Sequence, residues 1–394
     1  MAVSRNIIKS MEKSSWIRKM FETGGQLKAE YGEENVFDFS LGNPDVDPPE
    51  EFFSRLAEFS GTRKQGRHSY MPNAGYPDVR KKVADYVSET EKIKVSPENI
   101  VMTCGAAGAM NIVLKTILNP GDRVVVSTPY FAEYDAYAAN HGGELVKVPG
   151  TKDFELDLGN IENAIDEKTR AVIINSPNNP SGRVYSEDTV LKLSELLRKK
   201  TAQHGNAVYL LSDEPYKKIV YDGVKVPSVI KNYENSIIMT SYSKDLSIPG
   251  ERIGWLAVNP GAEDVKMLID GIVMCNRILG YVNAPAIMQQ VVADLSSVSV
   301  DIEVYRKKRD RLCDILTGIG YSLNKPEGAF YLFPEAPGGD DIKAVAALQK
   351  ERILTVPGSG FGSPGYFRIA YCVSEKVIEG AREGFERAYK SLVK

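Results

Sequence analysis

Five short apolar runs, each closing on polar or small residues, constrain the fold of this chain more than any other feature. They are Ile100-Val101-Met102-Thr103-Cys104, Val124-Val125-Val126-Ser127, Ala171-Val172-Ile173-Ile174-Asn175, Ala207-Val208-Tyr209-Leu210-Leu211-Ser212 and Ile237-Ile238-Met239-Thr240. Each is too short for a typical helix and too uniformly apolar for a strand with one wet face. Each therefore reads as a strand buried on both sides. Helical patterns precede and separate them, as over 78–90 and 109–118. Strands alternating with helices predict an α/β sheet, and such sheets carry their ligand sites beyond the carboxyl ends of the strands. The residues that follow the runs are the first candidates for chemistry.

After the fourth run comes Asp213-Glu214-Pro215-Tyr216. A carboxylate directly after a central apolar strand is costly unless it meets a partner, and a protonated ring nitrogen is one such partner. After the fifth run comes Ser241-Tyr242-Ser243-Lys244, then Gly250-Glu251-Arg252-Ile253-Gly254. An amine held near other cations loses its proton readily and forms a Schiff base with an aldehyde. Ser241 and Arg252 flank it with donors suited to a phosphate. An aldehyde and a phosphate on one small molecule suggest pyridoxal phosphate. The alternative for Lys244 is a surface lysine in a polar turn.

The first run opens through Gly105-Ala106-Ala107-Gly108 into a helix, an arrangement that offers free backbone N–H groups to an anion. The G-x-G-x-x-G fingerprint of a dinucleotide site is absent there. Tyr130 and Phe131 follow the second run; one of them stacks on a flat ring, or both join the core. The third run leads into Ser176-Pro177-Asn178-Asn179-Pro180-Ser181-Gly182, a loop whose asparagine amides are free to donate. Gly42 ends an alternating run, Val36–Leu41, and is either a plain turn glycine or a point of close backbone approach. Arg368 stands inside the apolar stretch Phe367–Tyr371, where a guanidinium wants a carboxylate from a ligand or from the protein.

Elsewhere the periodicity of Ile7, Ile8, Met11, Trp16, Ile17, Met20 and Phe21 predicts two short N-terminal helices over 5–31, divided at Gly24-Gly25. It also predicts helices over 260–278 and 341–351, a long charged amphipathic stretch over 286–317, and a strand at Gly328–Phe333. The net charge of −3 leaves no basic excess for nucleic acid. No apolar run approaches membrane-spanning length. The N-terminus lacks the apolar core of a signal peptide, so a cytoplasmic location is expected. Four scattered cysteines without a CxxC fit a reducing compartment, and three dispersed histidines form no metal-ligand pattern.

From about residue 30 onward the chain resembles the class I/II aminotransferases, enzymes of the fold type I pyridoxal-phosphate group. The blocks that carry the resemblance are Gly42-x-Pro44, Tyr70…Gly75, Gly105-Ala106-Ala107, Pro129-Tyr130-Phe131, Asn179-Pro180-Ser181-Gly182, Asp213-Glu214-x-Tyr216, Ser241-x-x-Lys244…Arg252-x-Gly254, Pro326–Tyr331 and Arg368. The resemblance implies a mixed, mostly parallel seven-stranded sheet flanked by helices in a large domain, 50–284. A smaller α/β domain would combine 1–49 with 285–394. It also implies that Lys244 holds pyridoxal phosphate as a Schiff base and then moves the substrate proton. Asp213 would pair with the ring nitrogen, Tyr216 and Asn179 with the ring oxygen, and Phe131 would stack on the ring. Ser241, Arg252 and the amides at Gly105, Ala106 and Ala107 would hold the phosphate, helped by Tyr70 from a second subunit of a homodimer. Arg368 would clamp the substrate carboxylate, with Asn179 and the Gly42 backbone.

The implied reaction is a two-stage transfer of an amino group from an L-amino acid to a 2-oxo acid. Many relatives carry a lysine or hydroxyl where this chain has Ala107, which leaves only backbone contacts there. Arg277 lies close to where dicarboxylate aminotransferases place a second cation, and it suggests aspartate or glutamate with 2-oxoglutarate. Tyr130, Phe131, Tyr242 and Tyr331 would also suit an aromatic or neutral substrate. A carbon–sulfur β-lyase on the same fold needs the same Lys244, Asp213 and Arg368.

Overall fold

The computed structural model describes residues 2–4, 7–8, 16–63 and 65–393. Its strands, in chain order, are β1 (Phe37–Asp38), β2 (Ile100–Thr103), β3 (Arg123–Thr128), β4 (Glu144–Pro149), β5 (Thr169–Asn175), β6 (Tyr209–Asp213), β7 (Ser236–Ser241), β8 (Gly254–Val258), β9 (Tyr331–Leu332), β10 (Ile353–Leu354), β11 (Val356–Pro357) and β12 (Phe367–Ala370). Seven of them form one sheet in the order β2-β8-β7-β6-β5-β3-β4. All run parallel except β8, which is antiparallel to both of its neighbours. The expected mixed, mostly parallel seven-stranded α/β sheet is therefore present.

The apolar runs are continuous because both faces of the sheet are covered. Val124 and Val126 face one core cluster while Val125 between them faces the other. Ile237 and Met239 divide from Ile238 in the same way, as the two-residue period of a strand requires. A further cluster lies around β9, β11 and β12, which form an antiparallel sheet, and around the parallel pair β1–β10. The helices Ile302–Ile319, Asp341–Lys350 and Glu375–Leu392 pack there.

Several boundaries differ from the sequence reading. One helix, Trp16–Tyr31, runs straight through Gly24-Gly25. A Cβ at Gly24 would come within 2.9 Å of the Leu354 side chain, so this glycine serves close packing against β10 rather than a break. Packing outweighs the roughly 1 kcal/mol that a glycine costs a helix. Met11, placed on that helix by periodicity, lies outside the described residues. The stretch 286–317 is two helices, Ala286–Val292 and Ile302–Ile319, the second capped by Asp301. The helix after β2 starts at Gly105 rather than Ala109, which puts Ala106 and Ala107 in its first turn. The strand expected over Val36–Leu41 is confined to Phe37–Asp38, and its continuation leaves the sheet.

Register explains how distant residues meet. Asn175 pairs with Asp213 across β5 and β6, and Asp213 with Met239 across β6 and β7. Gly254 pairs with both Thr103 and Ser241, so the starts of two functional loops meet over one glycine. A Cβ at Gly254 would overlap the Thr240 carbonyl oxygen and lie 3.0 Å from the Gly105 Cα. Backbone cannot retreat as a flexible side chain can. Gly254→Ala should therefore cost about 1–3 kcal/mol. A lowered chemical-denaturation midpoint in the cofactor-free protein would measure it, and an unchanged midpoint would contradict this packing.

Candidate active site

Asp213 ends β6 in a buried position. Its Oδ2 accepts a hydrogen bond from the Tyr134 hydroxyl at 2.5 Å, while its Oδ1 is buried without a partner. Burial pushes the Asp213 pKa up to about 6, against the lowering effect of the Tyr134 hydroxyl and with the help of neighbouring Glu214. Glu214 points elsewhere, to Lys217 at 2.7 Å and Ser212 at 2.8 Å. The unpaired Asp213 oxygen is an acceptor waiting for a donor, and Asp213 lines a cavity of about 350 Å³.

Lys244 follows β7 in the short helix Tyr242–Asp245 and lines the same cavity. Its Nζ donates to the Gly42 carbonyl at 2.7 Å and lies 5.5 Å from the centre of the Phe330 ring. Burial pushes its pKa down to about 8. Arg368 and Arg252 press in the same direction, and the Cys372 sulfur opposes them. It is not the surface lysine of a polar turn. The neighbouring Ser243 hydroxyl is buried without a partner.

Arg368 stands on β12, 2% exposed. It donates to Asn179 Oδ1 at 3.0 Å and to the Ser40 carbonyl at 2.6 Å, and its Nε has no partner. The guanidinium lies 4.7 Å from the Tyr331 ring centre and 4.9 Å from that of Phe361. It is in no salt bridge among the described residues, so the alternative of a structural ion pair does not hold. A buried cation without a counter-ion is expensive. It suits a carboxylate brought by a ligand.

At the other end of the cavity Ala106 and Ala107 occupy the first turn of the helix Gly105–Ile117, where backbone N–H groups lack intrahelical partners. Ser241 and Arg252 line the wall beside them. Arg252 has the left-handed φ of 50° and donates to the Pro249 carbonyl at 2.9 Å. A Cβ at Gly105, whose φ is 72°, would lie 3.2 Å from the Arg252 guanidinium. Free amides, a helix dipole and a guanidinium together suit a phosphate. Phe131 lines the cavity, packed edge-on against Tyr134 with centroids 5.5 Å apart. Tyr216 shares a 2.8 Å hydrogen bond with the Tyr331 hydroxyl. A side chain at Gly42 would overlap that Tyr331 hydroxyl, which makes Gly42 a point of close approach rather than a plain turn residue.

Three predicted residues do not line the cavity: Gly105, which stands just behind Ala106 at the start of its helix, Tyr70 and Arg277. Tyr70 is 91% exposed, and Arg277 is exposed in the last turn of the helix Val265–Ile278. Three contributors went unrecognised in the sequence. Tyr134 holds Asp213. Ser243 lines the wall. Asn175 donates to the Asp213 carbonyl at 2.8 Å and accepts from the Asn179 amide at 2.7 Å. Asn175 carried a signal, a polar residue ending an apolar run. Tyr134 carried none, as one of several tyrosines on a short helix. No group of ligands able to hold a metal ion occurs among the described residues.

A family profile described as aminotransferase class I and II matches residues 34–385. The chain is 32% identical to a probable aspartate/prephenate aminotransferase of Aquifex aeolicus, over 88% of this chain and 90% of that protein. It is 31% identical to an aspartate aminotransferase of Bacillus subtilis, over 90% and 91% of the two chains. Its structure superposes on that of an amino transferase from Eubacterium rectale with a TM-score of 0.96, at 39% identity and 100% coverage of both chains. It superposes on the aspartate aminotransferase of Thermus thermophilus with maleate at a TM-score of 0.87, with 27% identity over 98% of this chain and 100% of that one.

The strained charge at Asp213 has a measurable consequence. Its carboxyl is raised from 3.8 to about 6 by folding. The native state therefore suffers no penalty below pH 4, and the penalty grows as pH rises towards 6. In cofactor-free protein, Asp213→Asn should be more stable than the parent above pH 6 by on the order of 2–3 kcal/mol. The gain should vanish below pH 4. Denaturation midpoints across that range measure it, and a gain that persists at low pH would contradict it.

Proposed function

The chain belongs to the aminotransferase class I and II family, whose members are pyridoxal-phosphate-dependent transferases, and we propose that it moves the amino group of aspartate or glutamate to a 2-oxo acid such as 2-oxoglutarate. The observation that carries this reading is the pair of unsatisfied buried groups on one cavity, Asp213 Oδ1 and Arg368 Nε, with the Lys244 amine on the same wall. The names of the relatives, aspartate and aspartate/prephenate aminotransferases, support aspartate as donor.

The residues fit the cofactor. The unpaired Asp213 oxygen would receive a ring N–H, and the amides at Ala106 and Ala107 with Ser241 and Arg252 would hold a phosphate. Bound pyridoxal phosphate supplies an electron sink next to the substrate α-carbon. Every other step belongs to this chain. Lys244, with its pKa near 8, is partly a free amine at neutral pH, able to act as nucleophile and to carry a proton. Asp213 would keep the ring nitrogen protonated. Arg368 would take the α-carboxylate, with the Asn179 side chain already oriented against it. Tyr216, fixed by Tyr331, and Asn179 would hydrogen-bond the ring oxygen. Phe131, on the cavity wall, would stack on the ring.

We also propose a homodimer, in which Tyr70 and Arg277, both exposed here, serve the partner's cavity. The division into 50–284 and 1–49 with 285–394 is the accompanying domain proposal. A second reading rests on one observation. The cations lining the cavity are Lys244, Arg252 and Arg368, each with a role, while Leu41, Met110 and Phe131 present apolar surface. An aromatic or neutral donor suits those walls without help from a second copy.

Adding single amino acids to the cofactor-loaded protein should decide the donor. Aspartate or glutamate should bleach the visible band of the bound cofactor and release the matching 2-oxo acid. Bleaching by aromatic or neutral amino acids alone would move the assignment to the second reading. Pyruvate with ammonia and an unbleached band would make the chain a lyase. Lys244→Ala should lower turnover by roughly 10²–10⁴-fold or more.

A further inference from the structure

The segment that leaves the sheet after β1 lines the cavity through Leu41 and Gly42, and two cations of the site, Arg368 and Lys244, are tied to it. Arg368 donates to the Ser40 carbonyl at 2.6 Å, and Lys244 to the Gly42 carbonyl at 2.7 Å. Its other attachments come from groups without a role in the chemistry. The Cys372 thiol reaches the Leu41 carbonyl at 3.8 Å. Lys308 holds Asp45 at 2.5 Å. The Ser247 hydroxyl donates to the Val46 carbonyl at 2.5 Å. Ser247 does so from a left-handed φ of 56°, a conformation that disfavours a side chain. Lys308 comes from the helix Ile302–Ile319, and Ser247 from the turn that follows Lys244.

We propose that Ser40–Val46 is a strap over the cavity, and that Lys308 is the positioning residue that keeps it closed. The Lys308 side chain is 6% exposed, and Asp45 is its ion-pair partner among the described residues. A buried ammonium needs that partner, so the pair ties the strap to the helix Ile302–Ile319. Asp45 is more exposed than Lys308, so without Lys308 its carboxylate turns to water and the strap is released. Release removes the Ser40 carbonyl from Arg368 and, in the cofactor-free protein, the Gly42 carbonyl from Lys244. Arg368 then loses its orientation before substrate arrives. The affinity for substrate falls with the fraction of molecules whose strap is closed. The inference deepens the proposed function, because it assigns the strap to the same cavity.

The test uses Lys308→Met with Lys308→Arg as the conservative rescue. Cys372 is buried beneath the strap, so its reaction with Ellman's reagent reports opening. Its share of the thiol signal is the part lost in Cys372→Ser. In cofactor-free Lys308→Met, the Cys372 rate should rise at least about tenfold. In the loaded enzyme, KM for the amino donor should rise by a similar factor while kcat changes less. Lys308→Arg should restore both. An unchanged thiol rate overturns the strap. A faster thiol with unchanged KM overturns the positioning role. If Lys308→Met does not fold, Ser247→Ala removes a hydroxyl that holds the same strap at Val46, and the same pair of readouts applies. The thiol rate needs neither cofactor nor substrate. A protein that transaminates no amino acid would therefore sink the proposed function and still leave the strap measurable.

Discussion

A carboxylate sealed at the end of a central strand, with one oxygen unsatisfied, is the constraint on which the site depends. Asp213 has a single side-chain donor, Tyr134, for its two oxygens. Burial raises its pKa to about 6. The fold tolerates this cost because the sheet register fixes Asp213 beside Asn175, and Asn175 ties the loop carrying Asn179 to the same strand end. Lys244, half-buried, and Arg368, buried, are the counterparts of opposite sign, and neither is in a salt bridge among the described residues. The apolar sheet thus holds three mismatched charges on one cavity, each suited to a different part of one cofactor–substrate pair.

Close backbone approach is the second element. Gly254, Gly105 and Gly42 stand where a Cβ would press on the Thr240 carbonyl, the Arg252 guanidinium and the Tyr331 hydroxyl in turn. Each brings a polar group nearer the cavity than a chain with side chains there allows. The Ser40–Val46 segment adds a third, because its carbonyls accept from both Arg368 and Lys244 while Lys308, which holds Asp45, lies outside the chemistry.

Much of this was legible because burial leaves a mark in sequence. A charged residue directly after or inside a uniformly apolar run has few explanations, which is why Asp213 after its run, Arg368 inside its own and Lys244 close behind another stand out. The sheet itself followed from the same runs. Other features left weaker marks. β4 escaped because it is an edge strand with charges interleaved among its valines, half in water. Gly24-Gly25 read as a break because propensity is local, whereas the contact with Leu354 that explains Gly24 is not. Tyr134 could not be separated from Tyr130 and Tyr137, since only the tertiary path of its helix brings it to Asp213. Tyr70 and Arg277 face outward in one chain, so no reading of a single copy gives them a partner.

The central claim is that Lys244, and no other lysine, is the amine on which the chemistry turns. Reductive trapping tests it directly. The pyridoxal-phosphate-loaded protein is treated with borohydride, digested and mapped by mass spectrometry. The account predicts one phosphopyridoxyl mass, on the peptide that contains Lys244. Label on a different lysine, or label unchanged in Lys244→Ala, would contradict it.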